Sequence, residues 1–313
     1  MVERVKAEHV VPQFYLRRWT NARGKLYVFD KPSGTVFPSV VRGVAAETRF
    51  YDDPEAPTGV PDDQQLVEKY LSKLEGDFKP VFDSFVSQSD MGFVLSESIR
   101  ETMALFITVQ VIRTDEARKG IEQTVETLTQ VLDGEHPTPE LREQVRRARA
   151  PSGPAFVQLG MLTDSAAIHK MANVLLNHIW VLGVNESTTP LCTSDHPVVR
   201  EASIRDGHNS YLGLASPGIR VSLPVSPKYI LLLRDRGYFS RLRSLDGGRV
   251  SLSGREVEQY NSLQVLQANR QVFSSRRDFG LATELKRKYP DQFTLERPRV
   301  TANRGRRNTA AST

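Results

Sequence analysis

Five residues between positions 99 and 113 recur at steps of four, three, four and three: Ile99, Met103, Phe106, Gln110 and Arg113. That spacing puts them on one stripe of an α-helix. A second stripe, Leu105, Val109 and Ile112, is also apolar. A helix apolar on two sides is central and buried, so the rest of the chain must pack around it. The two polar members sharpen the constraint. An unpaired buried guanidinium costs on the order of several kcal/mol, so Arg113 requires a carboxylate or several carbonyls. Glu47, in GVAAETRFYD, and Asp195, in CTSDHPVV, are the acidic candidates.

The flanking sequence gives the class. KLYVFDKPSGTVFPSVV (25–41) reads as a hairpin turning at DKPSG. Leu66, Tyr70, Leu74, Phe78, Phe82 and Phe85 predict a helix near 62–88, which Pro80 should kink or break. A second helix is expected over about 97–132, started by a Ser98–Glu101 capping box or by Ser96. Polar residues 133–154 read as an exposed insertion, and a helix near 163–177 runs into the strand HIWVLGV. Short proline-punctuated strands follow at 191–199, 219–227 and 229–235. A helix capped by Ser253 and Glu256, the strand QVFSS and a last helix near 276–288 close the body. There is no regular βαβ alternation, so the fold class is α+β: an N-terminal hairpin, long central helices, and a C-terminal antiparallel or mixed sheet with helices. Residues 1–295 read as one domain and 296–313 as a disordered basic tail.

Composition narrows the function. With 39% hydrophobic residues the 313-residue chain can build a core. The single cysteine, Cys192, excludes an internal disulfide framework and any multi-cysteine zinc site. No segment has the length and apolarity of a leader or a membrane span, so a soluble cytoplasmic protein is expected. The net charge of +5 points toward nucleic acid until it is located. Residues 297–313 carry five arginines and no acids, and without them the chain is neutral. The tail could add weak, salt-sensitive contact with phosphates.

HVVPQFYLRRW (9–19) sets a histidine ahead of a helix start. Pro12 suits the first turn, and Phe14 or Tyr15, Leu16 and Trp19 would face the core. An imidazole at His9 can hydrogen-bond a carboxylate, act as a base, or cap the helix. Pro197 keeps His196 out of helical geometry, which places Asp195 at a strand end or turn, where it could equally cap its own turn. The other histidines lack metal-ligand spacing.

Several fragments, in order, resemble the domain of unknown function 4238 family: HVVPQFYLRRW, KLYVFDK, VAAETRFYD, FITVQVIRT, TSDHPVV, LPVSPKYILLL and NSLQVLQANRQVFSS. They run from about residue 9 to residue 274. The resemblance implies a His-x-x-Pro-Gln start at His9, Pro12 and Gln13. It also implies a Gln-x-x-Arg helix at Gln110 and Arg113, and a Ser-Asp-x-Pro segment at Ser194, Asp195 and Pro197, with His196 where Asn is more usual. It implies no reaction.

The expectation is a polar cluster of His9, Glu47, Gln110, Arg113 and Asp195, buried or in a cleft, in a non-catalytic binding or effector module. The alternative is a phosphodiesterase or nuclease. There His9, Glu47 and Asp195 would be catalytic, a divalent metal such as Mg²⁺ could sit on the carboxylates, and Gln13, Gln110 and Arg113 would hold substrate. A sensor binding a small anionic ligand at Arg113 is a third reading. Nucleic acid or a small anion is the corresponding partner.

Overall fold

Pro12 begins the first helical turn without needing the amide it lacks. In the computed structural model, which describes residues 7–52, 66–91, 95–132, 138–206, 209–210 and 212–300, a strand β1 (Ala7–His9) leads into this turn, α1 (Gln13–Leu16), and a 3-10 turn at Arg17–Trp19. The expected hairpin follows as β2 (Lys25–Asp30) and β3 (Val36–Val40), paired from Lys25↔Val40 to Phe29↔Val36. Gly34, at φ +77°, supplies the left-handed residue of its turn. Strand β4 (Ala46–Thr48) returns antiparallel to β1, with His9 opposite Ala46.

Helix α2 (Leu66–Met91) runs unbroken through Pro80. Pro80 and Gly76 both lie on the exposed face, so the carbonyl that Pro80 leaves unbonded can be hydrated, while Phe78, Phe82 and Phe85 stay buried on the other side. The expected 97–132 helix is two helices, α3 (Glu97–Ile112) and α4 (Asp115–Leu132). Ser96 caps α3, accepting from the Ile99 amide, rather than the Ser98–Glu101 box. At the break, the Thr114 hydroxyl accepts the Ala117 amide, and Asp115 and Glu116 occupy the first turn of α4.

Helices α5 (Pro139–Arg149), α6 (Gly153–Thr163) and α7 (Ser165–Leu176) follow; α6 was not foreseen. Strands β5 (Ile179–Asn185), β6 (Thr193–Ser194), β7 (Val199–Ala202), β8 (Arg205–Asp206), β9 (Asn209–Ser210), β10 (Ile219–Pro224), β11 (Tyr229–Arg234) and β12 (Arg249–Leu252) precede α8 (Gly254–Gln267). That helix begins with the expected Ser253–Glu256 capping box. β13 (Gln271–Ser274) and α9 (Gly280–Lys288) follow. The class is α+β. One sheet, ordered β12-β5-β11-β10-β7, is mixed because β12 runs parallel to β5. A second, four-stranded sheet, β3-β2-β13-β6, is antiparallel and joins the N-terminal hairpin to β13 and β6; β1-β4 and β8-β9 form two-stranded pairs.

Residues 14–19 hold the layers together. Phe14 packs edge-on to Phe82, and the Arg18 guanidinium pairs with Asp83 and lies over the Phe82 ring. On the opposite side the Tyr15 hydroxyl meets Thr193 Oγ1 at 2.7 Å and donates to the Pro224 carbonyl at 2.6 Å. The Trp19 indole donates to the Leu191 carbonyl at 3.0 Å. Tyr15 and Trp19 are fully buried. The segment therefore docks the chain start onto both α2 and the sheets. Tyr15→Phe, which leaves the Pro224 carbonyl without this donor, should destabilise the fold by about 1–3 kcal/mol in a denaturant titration.

Candidate functional site

The two polar members of the α3 stripe reach the same piece of backbone. Gln110 Nε2 donates to the Val10 carbonyl at 2.8 Å, and Arg113 Nη2 donates to the His9 carbonyl at 2.7 Å. Arg113 is the last residue before the break in the helix and is 2% exposed. Its acidic partner is neither Glu47 nor Asp195 but Glu75 of α2, bonded to Nη1 at 2.8 Å. Tyr51 closes the group, its hydroxyl donating to the Arg113 carbonyl at 2.9 Å and accepting from Nε at 3.3 Å. Burial opposes the guanidinium charge, but Tyr51 and Glu75 hold it firmly protonated. Glu68, one turn before Leu71, is pushed up to about 7 by burial, and Glu8 and Glu75 add to that push.

Glu75 had a sequence signal. Leu71, Glu75, Phe78, Phe82 and Phe85 follow steps of four, three, four and three, the same rhythm as the α3 stripe. One charged residue on each of two facing apolar stripes, Arg113 and Glu75, is the pattern of an ion pair between helices.

His9 joins this group through its main chain more than its ring. Burial pushes the imidazole pKa down, against the pull of Glu75 and a hydrogen bond to the Arg42 backbone. Nε2 is sealed and has no hydrogen-bond partner among the described residues. Gln13 opens α1 half-exposed, and no hydrogen bond among the described residues brings it to Arg113.

Glu47 and Asp195 lie across the Val10 backbone from the Arg113 group. They share a small polar cleft of about 140 Å³ with Val10, Asp115, Asn269 and Arg270. Ala45 and Arg49, which flank β4, both have positive φ, and the Ala45 amide is held by Gln271 Oε1 at 3.0 Å. Glu47 is exposed overall, but partial desolvation of its carboxyl at the cleft, with the Asp115 charge, pushes its pKa up.

Asp195 does not cap its own turn. Oδ1 accepts the Asn269 amide at 2.8 Å, and Oδ2 accepts those of Arg270 and Gln271, both at 2.7 Å. Its own turn is served by Ser194, whose Oγ accepts the His196 amide at 3.2 Å. Burial pushes the Asp195 carboxyl up to about 6, against the three amides and Lys31. Among the described residues no set of three or more His, Cys, Asp and Glu side chains is arranged to hold a metal ion.

The expected cluster is thus two groups back to back. His9, Gln110 and Arg113 stand on one side of residues 9–10, and Glu47 and Asp195 on the other.

A third region was not foreseen. A cleft of about 760 Å³ runs along α4 between α6 and residues 297–300. Arg297 and Arg299, expected in a solvated tail, belong to the body. Both bond Glu116, at 2.7 and 2.9 Å, and Arg299 also reaches Asn269 Oδ1 at 3.0 Å. The rest of the basic tail, 301–313, lies outside the described residues. His196 lines the same cleft, its Nδ1 2.8 Å from Thr114 Oγ1. Burial, then Arg200, Arg297, Arg299 and Lys31, push the imidazole down to about 3. A histidine whose folded pKa lies below its unfolded value binds more protons when unfolded, so its share of stability is present above about pH 6.5 and is lost as pH falls toward 3. His196→Asn should therefore lose less stability than the wild type between pH 6.5 and pH 4, as melting curves across that range would show.

The family model described as "Protein of unknown function (DUF4238)" matches residues 8–278, most of the chain. The chain belongs to this family. No curated protein matches it, and no solved structure matches it.

Proposed function

We propose that this member of the DUF4238 family is a non-catalytic binding module. Its sequence-distant polar residues form a structural lock rather than a reaction centre. The observation that carries the reading is the Asp195 carboxylate, buried and bonded through both oxygens to three backbone amides. A carboxylate so placed fixes the β6 end against the turn into β13, and both of its oxygens are engaged by main-chain donors. The same economy holds on the other side of residues 9–10, where Gln110 and Arg113 spend their donors on the Val10 and His9 carbonyls. Buried hydrogen-bond networks of this kind specify one docking geometry.

The alternative, a phosphodiesterase or nuclease using His9 and Asp195, makes the opposite demand on the same groups. Wild type, His9→Ala and Asp195→Asn would be incubated with single- and double-stranded DNA and RNA, in Mg²⁺ or Mn²⁺ and in EDTA, beside melting curves. The binding-module reading expects no cleavage by any of the three, with Asp195→Asn melting lower. Metal-dependent cleavage by the wild type, lost in both variants at unchanged melting temperature, would overturn it.

A further inference from the structure

The α4 cleft combines an apolar floor, an apolar rim and an unsatisfied cationic end. Its volume, about 760 Å³, lies within the roughly 300–1,000 Å³ of small-molecule sites. Ile121, Val125 and Val157 contribute to its walls. Leu128, Met161 and Leu212 stand at it with 38–49% of their surface exposed, an apolar edge that water covers at a cost.

The polar end carries more positive charge than its acid can neutralise. Three guanidinium groups, Arg200, Arg297 and Arg299, face one carboxylate, Glu116. Two of the three have donors to spare. Arg297 is 3% exposed, and its Nη1 is buried with no acceptor among the described residues. The Nε of Arg200 is in the same condition, while its Nη1 bonds the Leu212 carbonyl at 3.0 Å. Buried N–H groups of a charged side chain are costly to leave unmade, and planar guanidinium donors match the oxygens of a carboxylate or phosphate.

We propose that this cleft binds a small amphipathic anion, a carboxylate or phosphate monoester carried on an apolar chain, with its head group on Arg200 and Arg297 and its chain along α4 toward Leu128 and Met161. The assignment rests on the binding-module reading and supplies its ligand class. Charge complementarity selects the head, since a neutral head would leave the excess positive charge at Arg297 Nη1 and Arg200 Nε without a counter-charge. The apolar walls select the tail, since a bare anion would leave them wet.

Calorimetric titration of the full chain with decanoate, decyl phosphate and 1-decanol tests this. One or both anions should bind at one site per chain, and the tighter of the two identifies the head group. The neutral alcohol should bind at least about tenfold more weakly, the worth of one charge-assisted contact. Arg200→Met, which spares the Glu116 pairs, should weaken the anions about tenfold and leave the alcohol unchanged. Leu128→Asp, on the exposed rim, should weaken all ligands without lowering the melting temperature. Failure of both anions to bind, equal binding of anion and alcohol, or indifference to Leu128→Asp would overturn the proposal. Such a failure without nucleic-acid cleavage would overturn the ligand class alone, whereas cleavage would overturn the binding-module reading itself.

Discussion

Asp195→Ala should lower the stability of the protein by about 3–5 kcal/mol, the largest loss expected from any single substitution at the polar groups. The carboxylate is the acceptor for three consecutive amides, Asn269, Arg270 and Gln271. Each buried donor left unmade costs about 1–3 kcal/mol, less whatever water recovers in the cavity. The loss is not local. Gln271 and its neighbours open β13, which pairs with both β2 and β6 and so carries the N-terminal hairpin. Asp195→Asn keeps one acceptor oxygen and turns an amide group toward an amide N–H, so it should fall between wild type and alanine. Chemical denaturation midpoints for the three proteins would establish the order.

Arg113→Met should be nearly as severe, about 3–5 kcal/mol at neutral pH, and its cost should depend on pH. The guanidinium bridges α3, α2 and the residue 9 backbone and is the cation for Glu75, with Glu68 close by. Removing it leaves carboxylates facing one another with nothing between them. A carboxylate whose folded pKa is raised binds more protons folded than unfolded, so its penalty is full above the folded value and shrinks as pH falls toward the unfolded value. Glu68 already sits at about 7 with Arg113 present, held there by burial; without the cation it rises further. The deficit of Arg113→Met relative to wild type should therefore narrow from pH 8 to pH 5. A deficit constant across that range would mean that Arg113 acts by packing alone.

Much of this was legible because helix periodicity reports burial directly. The α3 stripe placed Gln110 and Arg113 inside, and they are 1% and 2% exposed. The two strands of the hairpin and the Ser253 cap likewise depend on residues a few positions apart. What escaped was of two kinds. Thr114, whose hydroxyl accepts the Ala117 amide at the start of α4, lies inside an otherwise continuous helical pattern, and no residue around it in sequence marks the break.

The other kind was pairing across sequence. Asp195 and Glu47 were legible as misplaced acids, but nothing local says that one meets the amides of 269–271 and the other an open cleft. Glu75 was readable from its own stripe, and a search for a polar residue on a second apolar face would have found it. Arg297 and Arg299 looked like tail because their neighbours are polar; they are body because Glu116, nearly two hundred residues earlier, binds both.

The commitment of Asp195 to the backbone is the centre of this account, and hydrogen exchange measures it without any variant. The amides of Asn269, Arg270 and Gln271 should exchange as slowly as the core strands β5 and β11, opening only when the whole fold opens. Exchange at the rate of an exposed loop would mean that the carboxylate is free of these amides in solution. It would then be available to a substrate, which contradicts the structural lock.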